Sequence, residues 1–121
     1  QVFSSMAYVA YEHSDAKSAI DYYRKALAID KNNSNALNGL GYVLADSEKD
    51  LQKAIVYCKR ALEKEPKNPA YLDSVAWACF KAGSLKEANA YIKKARKEVA
   101  GNETINRHAQ IIQTAKHAQK D

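Results

Sequence analysis

The chain has 121 residues, enough for one domain, and a hydrophobic content of 46% is sufficient for a core. Lysine and arginine outnumber aspartate and glutamate by 19 to 14, which gives a formal net charge of +5. No apolar run approaches the roughly 18 residues of a membrane span, so no span is expected. Only four glycines and two prolines are present, and this scarcity favours an all-α chain.

The first predicted pair of helices covers about residues 1–33. Apolar and small residues recur at helical spacing in both halves, as Phe3, Met6, Ala7 and Ala10, and then Ala19, Tyr23 and Ala26. Gln1 falls inside the first helix with no obvious cap, so an apolar end is expected to be available there.

The second predicted pair covers about residues 34–68. Its two stripes are Leu37, Leu40, Gly41 and Leu44, and then Leu51, Ala54, Cys58 and Ala61. Between the stripes, the polar stretch "ADSEKDLQ" contains one residue more than its counterparts in the other pairs. Insertions are tolerated in turns, so this stretch is predicted to be the turn of the pair.

The third predicted pair covers about residues 69–101, and one more helix is predicted over about 103–119. Gly83-Ser84 separates the stripe of Leu72, Val75, Ala76 and Cys79 from that of Leu85, Ala88, Ile92 and Ala95. The last helix has a stripe of Ile105, Ala109 and Ile112. It is either a terminal cap with a solvated outer face or the first helix of a further pair.

The three pairs repeat with a period of 34 to 35 residues. Small residues mark the period twice, once as Ala7, Gly41 and Ala76, and again as Ala19, Ala54 and Ala88. Small side chains let two helix backbones approach closely, so these six positions are predicted to be the helix crossings.

The segments "ALNGLGYVLADSEKDLQKAIVYCKRALEKEPKN" and "PAYLDSVAWACFKAGSLKEANAYIKKA" resemble tetratricopeptide (TPR) repeats of the bacterial type. Unit two supplies the Leu-Gly step, the alanines and Pro66 of the family pattern, whereas unit one is the most degenerate. The resemblance implies a single TPR domain over 1–121, a right-handed α-solenoid of stacked helix pairs with a C-terminal capping helix. It also implies a concave groove, lined by the first helix of each pair, that binds peptides or partner segments.

The candidate groove residues lie roughly 120° around the helix from the core stripe. Tyr8, Tyr42 and Trp77 are at equivalent positions and form a predicted ladder of rings, with Trp77 as the favoured anchor. The full set of candidates is Ser4, Tyr8, Tyr11, Asn35, Asn38, Tyr42, Asp73, Trp77 and Phe80. The alternative is that the rings pack against neighbouring repeats and have a structural role only.

The charge pattern narrows the expected partner. TPR domains that hold C-terminal carboxylates use basic and amide side chains on the groove helices, whereas this chain has Asp73 there and only Asn38 could contribute. A neutral or basic peptide with apolar side chains is therefore expected. The basic residues fall mainly on the second helices, interleaved with acidic ones, so nucleic acid is not expected as a partner. Self-association through the repeat ends or the groove, forming a scaffold, is the alternative function.

No catalytic or metal-binding motif is recognisable. His13, His108 and His117 lack a second ligand at metal-site spacing, and no phosphate-binding glycine loop occurs. Cys58 and Cys79 are expected to be buried thiols, although a disulfide between them stays open. The sequence thus predicts an interaction protein that is not an enzyme and has no cofactor.

Overall fold

The computed structural model describes the backbone of residues 2–120 and the side chains of residues 2–119. Within these bounds the chain forms seven α-helices and no strand. They are α1 (Val2–Glu12), α2 (Ala16–Ile29), α3 (Ser34–Asp46), α4 (Leu51–Lys64), α5 (Pro69–Lys81), α6 (Leu85–Glu98) and α7 (Glu103–Lys120). The helices pair as α1–α2, α3–α4 and α5–α6, each pair packs on the next, and α7 packs on α5 and α6. The predicted all-α solenoid is confirmed.

Asparagine caps start the first helix of the second and third pairs, and a third one starts α7. In each case the side-chain oxygen accepts a hydrogen bond from the backbone N–H three residues later, which satisfies a free donor of the first turn. The pairs are Asn33 with Ala36 (3.1 Å), Asn68 with Tyr71 (3.2 Å) and Asn102 with Ile105 (3.0 Å). Because α7 shares this start, it begins in the same way as the first helices of the repeating pairs.

The turn inside each pair contains a residue in the left-handed backbone conformation at an equivalent place. These residues are Ser14, Glu48 and Gly83, at φ of +60°, +55° and +86°. The turn of the second pair has four residues, 47–50, whereas the other two have three. Asp50, at φ of +45°, also takes the left-handed conformation. The extra residue predicted from the sequence therefore lies in this turn, where it does not interrupt a helix.

Small residues allow the two helices of each pair to touch. Ala7, Gly41, Ala76, Ala19, Ala54 and Ala88 are all buried. At Gly41 the approach is close enough that a Cβ would lie 2.4 Å from the Sγ of Cys58 and 2.9 Å from the carbonyl oxygen of Ala54. Cys58 and Cys79 are free, buried thiols, as expected, and burial raises the pKa of the Cys58 thiol.

α7 packs on the third pair. Its apolar stripe, Ile105, Ala109 and Ile112, is buried. Across residues 2–120, no helix has both the length and the apolar character needed to cross a bilayer.

Candidate functional site

The inner surface, defined here as the faces of α1, α3 and α5 that carry the nine candidate residues, differs from one end to the other. At the α1 end, the Tyr8 side chain is open to solvent, with 59% of the residue surface exposed. Tyr11 is half-buried, and its ring meets that of Tyr42 edge to face with 6.0 Å between centroids. These three tyrosines keep part of their area available to a ligand.

Tyr11 and Trp77 are linked through one carboxylate. The Tyr11 hydroxyl donates to Oδ2 of Asp46 at 2.7 Å, and Nε1 of Trp77 donates to Oδ1 of the same residue at 3.1 Å. Asp46 thus connects the first and third pairs across the end of α3. Its carboxylate also orients the tyrosine and tryptophan rings.

Trp77 is buried, with 7% of its surface exposed. The Phe80 ring stacks on the indole at a centroid distance of 5.1 Å, and the imidazole of His108 stacks on it at 4.0 Å. The expected exposure of Trp77 on the inner surface is therefore wrong. The physical reason is that α7 packs against α5 and places His108 over the ring, an arrangement that the periodicity of α5 alone does not reveal.

Asp73 is likewise buried beneath α7. Its Oδ1 lies 2.8 Å from Nδ1 of His108, and both side chains are almost completely enclosed. Asp73, one of the nine candidate groove residues, is therefore unavailable to a ligand in this arrangement, because α7 already supplies its partner.

The remaining polar candidates have different surroundings. Ser4 is buried in α1, and Asn35 is exposed in the first turn of α3. Asn38 is half-buried, and its buried Oδ1 has no hydrogen-bond partner. A buried acceptor without a donor is uncommon in proteins, so a ligand N–H that reached the Asn38 oxygen would remove an energetic penalty.

The electrostatic field on the inner surface is mixed. Burial raises the pKa of Tyr42 to about 12, with Asp46 and Asp73 acting in the same direction and Arg107 of α7 opposing them. At the α1 end, Glu12 beside the Tyr8 hydroxyl raises the pKa of that tyrosine. Next to it is an open cleft of about 360 Å³, lined by Tyr11, Glu12, Ser14, Ala16, Asp46 and Ser47. Two carboxylates border this cleft, and no basic side chain lines it.

Four residues at this surface were missed by the sequence analysis: Glu12, Asp46, Arg107 and His108. A signal existed for two of them, because Tyr11 and Asp46 are 35 residues apart, and so are Asp73 and His108. Residues one repeat period apart on stacked helices lie side by side. Scanning for donor–acceptor pairs at that spacing would have found both contacts.

No family model matches the chain. A TPR repeat-containing protein of Pseudomonas aeruginosa is 36% identical over 72 residues, which cover 60% of this chain but only 12% of that protein. The chain therefore matches a small part of the length of this curated relative.

Solved structures match over nearly the whole chain. The first TPR domain of the human RPAP3 protein superposes with a TM-score of 0.85 at 17% identity, covering 98% of this chain and 93% of that one. The first TPR of Spaghetti (RPAP3) bound to the HSP90 peptide SRMEEVD gives 0.80 at 18% identity, covering 94% and 90%. At such identities the likeness establishes the fold, and the resemblance to TPR repeats seen in the sequence is confirmed.

Proposed function

The chain is a tetratricopeptide-repeat protein, and we propose that it is a protein-interaction module whose inner surface binds an extended peptide or partner segment. The TPR domain of similar fold that carries an HSP90 peptide supports this general role. The partner proposed for this chain has apolar side chains and at least one basic group.

The observation that carries the proposal is the combination of available rings with an unpaired polar atom. Tyr8 is exposed, Tyr11 and Tyr42 are half-exposed, and the Asn38 Oδ1 lacks a donor. Aromatic rings provide contact area at a small cost in side-chain entropy. The amide oxygen can accept a hydrogen bond from the backbone of a bound segment and so fix its position.

Trp77 and Asp73 have a supporting role in this proposal. Both are enclosed beneath His108, so they form the floor of the inner surface while Tyr8 and Tyr42 make the direct contacts. Phe80, Asn35 and Ser4 border the same faces without a comparable combination of exposed ring and unpaired atom.

The acidic side chains beside Tyr11 determine which class of peptide is expected to bind. The carboxylates of Glu12 and Asp46 border the cleft beside Tyr11, so a lysine or arginine side chain entering it would be attracted. An acidic residue at the same place would be repelled. This differs from the acidic HSP90 peptide bound by the neighbour of similar fold.

A displayed peptide library tests the proposal directly. Selected peptides are expected to be enriched in basic and apolar residues, and Tyr8→Ala is expected to weaken their binding about tenfold in isothermal titration calorimetry. Val56→Ala is the matched control, because Val56 is similarly exposed but lies on a second helix. Selection of acidic peptides, or equal binding by the Tyr8 variant, would contradict the proposal.

Self-association is the second candidate, and one observation favours it. The face of α1 that carries Val2, Met6 and Val9 is exposed by 70%, 40% and 54%. The equivalent residues are Ala36, Leu40 and Val43 in α3, Tyr71, Val75 and Ala78 in α5, and Ile105, Ala109 and Ile112 in α7, and all of these are buried. In the later helices this face packs on the preceding pair, so on α1 it is an apolar surface that a preceding helix pair or a second copy could cover.

Light scattering over a dilution series tests this second candidate. A mass that rises with protein concentration, and that Val9→Ser lowers, would support self-association through α1. A constant monomer mass at all concentrations would exclude it. Val43→Ser is not a suitable control for assembly, because Val43 is buried and its loss would destabilise the fold.

A further inference from the structure

On α6, a polar residue occupies a position at which the second helices of the other two pairs, α2 and α4, carry an apolar residue. Counted from the equivalent alanines of the three second helices, Asn89 in α6 occupies the position of Ile20 in α2 and Ile55 in α4. Asn89 is more than nine-tenths buried, and its Oδ1 has no hydrogen-bond partner. A buried, unpaired amide is unfavourable, and isoleucine avoids the penalty in the other two pairs. A ligand that pairs the Asn89 oxygen would remove this penalty.

Asn89 lines a cleft of about 140 Å³ between the two helices. The other lining residues are Lys93 on α6 and Gln113, Lys116 and His117 on α7. Since a water molecule occupies about 30 Å³ in the liquid, the cleft has room for a group of about five heavy atoms. A tetrahedral oxyanion has that size.

Lys93 and Lys116 give the cleft a positive charge. Neither Lys93 nor Lys116 forms an ion pair with any carboxylate in the described part of the chain. The stretches 88–97 and 104–120 contain no aspartate or glutamate, although they contain seven lysines and arginines. His117 adds a ring N–H donor even when it is neutral. Such a surface attracts anions.

We propose that this cleft binds a phosphate group. Lys93 and Lys116 contact its charged oxygens, and the Asn89 Oδ1 accepts a hydrogen bond from its P–OH. Hydrogen phosphate has both charged acceptor oxygens and a P–OH donor. Sulfate and carboxylate anions have acceptor oxygens only, so they would leave the asparagine oxygen unpaired. The cleft shares no lining residue with the inner surface, so this inference does not depend on the proposed peptide binding.

Titrations of the whole chain with inorganic phosphate and with sulfate, at pH 7 and matched ionic strength, provide the test. Phosphate is expected to raise the melting temperature in a saturable way and to shift the side-chain amide signals of Asn89 in ¹H–¹⁵N spectra. Its affinity is expected to exceed that of sulfate about tenfold, since only phosphate pairs the buried oxygen. A parallel titration with phosphoserine tests the role of the P–OH, because at pH 7 this monoester is mainly the dianion, which has no P–OH. Phosphoserine is expected to bind more weakly than inorganic phosphate, and equal affinities would overturn the role assigned to Asn89.

Three variants distinguish a specific phosphate site from a general attraction of anions to surface lysines. Asn89→Ile is expected to raise the melting temperature without phosphate and to abolish the preference for phosphate over sulfate. Lys116→Ala is expected to weaken phosphate binding about tenfold. Lys97→Ala, an exposed residue of α6 outside the cleft, is expected to leave binding unchanged. Equal effects of phosphate and sulfate, or a retained preference in Asn89→Ile, would overturn the proposal.

Discussion

The imidazole of His108 lies nearly parallel to the indole of Trp77, with 4.0 Å between ring centroids and 17° between ring planes. The same imidazole places Nδ1 2.8 Å from the carboxylate of Asp73. One side chain of α7 therefore covers the tryptophan and satisfies a buried acid on α5. This contact fastens the last helix to the third pair and limits the exposed inner surface to the first two pairs.

Replacing His108 by alanine should loosen this end of the fold. The variant leaves Asp73 without its partner and removes the stack on Trp77, so the free energy of unfolding is expected to fall by about 2–3 kcal/mol. Trp77 is the single tryptophan, so its fluorescence emission should shift to longer wavelength as water reaches the ring. His117→Ala, an exposed position on the same helix, should change stability by less than about 0.5 kcal/mol. Identical denaturation curves and spectra for wild type and His108→Ala would show that the contact contributes nothing.

Trp77→Ala should lower the stability of the fold, whereas Tyr8→Ala should lower the affinity for a peptide. Truncating the buried indole is expected to destabilise the fold by about 3–5 kcal/mol. Removing the exposed Tyr8 ring should leave the melting temperature nearly unchanged while weakening peptide binding. Thermal unfolding followed by circular dichroism measures the first effect, and calorimetric titration measures the second. A stable Trp77→Ala variant would mean that α7 does not hold the ring as observed.

Gly41→Ala should destabilise the second pair, although alanine normally favours a helix over glycine by about 0.5–1 kcal/mol. The new methyl group would collide with the Sγ of Cys58 and approach the backbone of α4, so a loss of about 1–3 kcal/mol is expected from overpacking. Adding Cys58→Ala should recover part of the loss, because it removes the nearer atom. An increase in stability on urea denaturation of Gly41→Ala would contradict the close crossing.

The raised pKa of Tyr42 predicts a loss of stability at alkaline pH. Its pKa rises from the usual 10.0 to about 12, mainly through burial, so the folded state holds the proton more tightly than the unfolded state. The stabilisation that comes from the protonated Tyr42 hydroxyl is complete below pH 10 and is lost as the pH rises from about 10 towards 12. Melting temperatures measured from pH 8 to 11.5 should therefore fall less steeply for Tyr42→Phe than for wild type. Equal slopes would show that Tyr42 is not shielded from solvent.

The helices and their pairing could be predicted from local chemistry. Apolar spacing identified the core stripes except at Met6 of α1, which is exposed, because no helix of the described chain packs on that face. The repeat period located the small residues at the crossings, and "ADSEKDLQ" marked the turn with the extra residue. The stripes and the turn depend on residues within one or two helical turns of each other, and the crossings repeat the same local chemistry every 34 to 35 residues. Their physical cause is therefore contained in short segments of sequence.

The environment of the inner-surface rings was decided only by the tertiary structure. Helical periodicity states the direction of a side chain around its own axis, and in that respect Tyr8 and Trp77 are equivalent. It does not state which neighbour fills the space in that direction. His108, 31 residues beyond Trp77 in the chain, covers that ring, whereas Tyr8 stays open to solvent. Burial is a property of neighbours brought together by folding, so equivalent positions in a repeat acquire different roles.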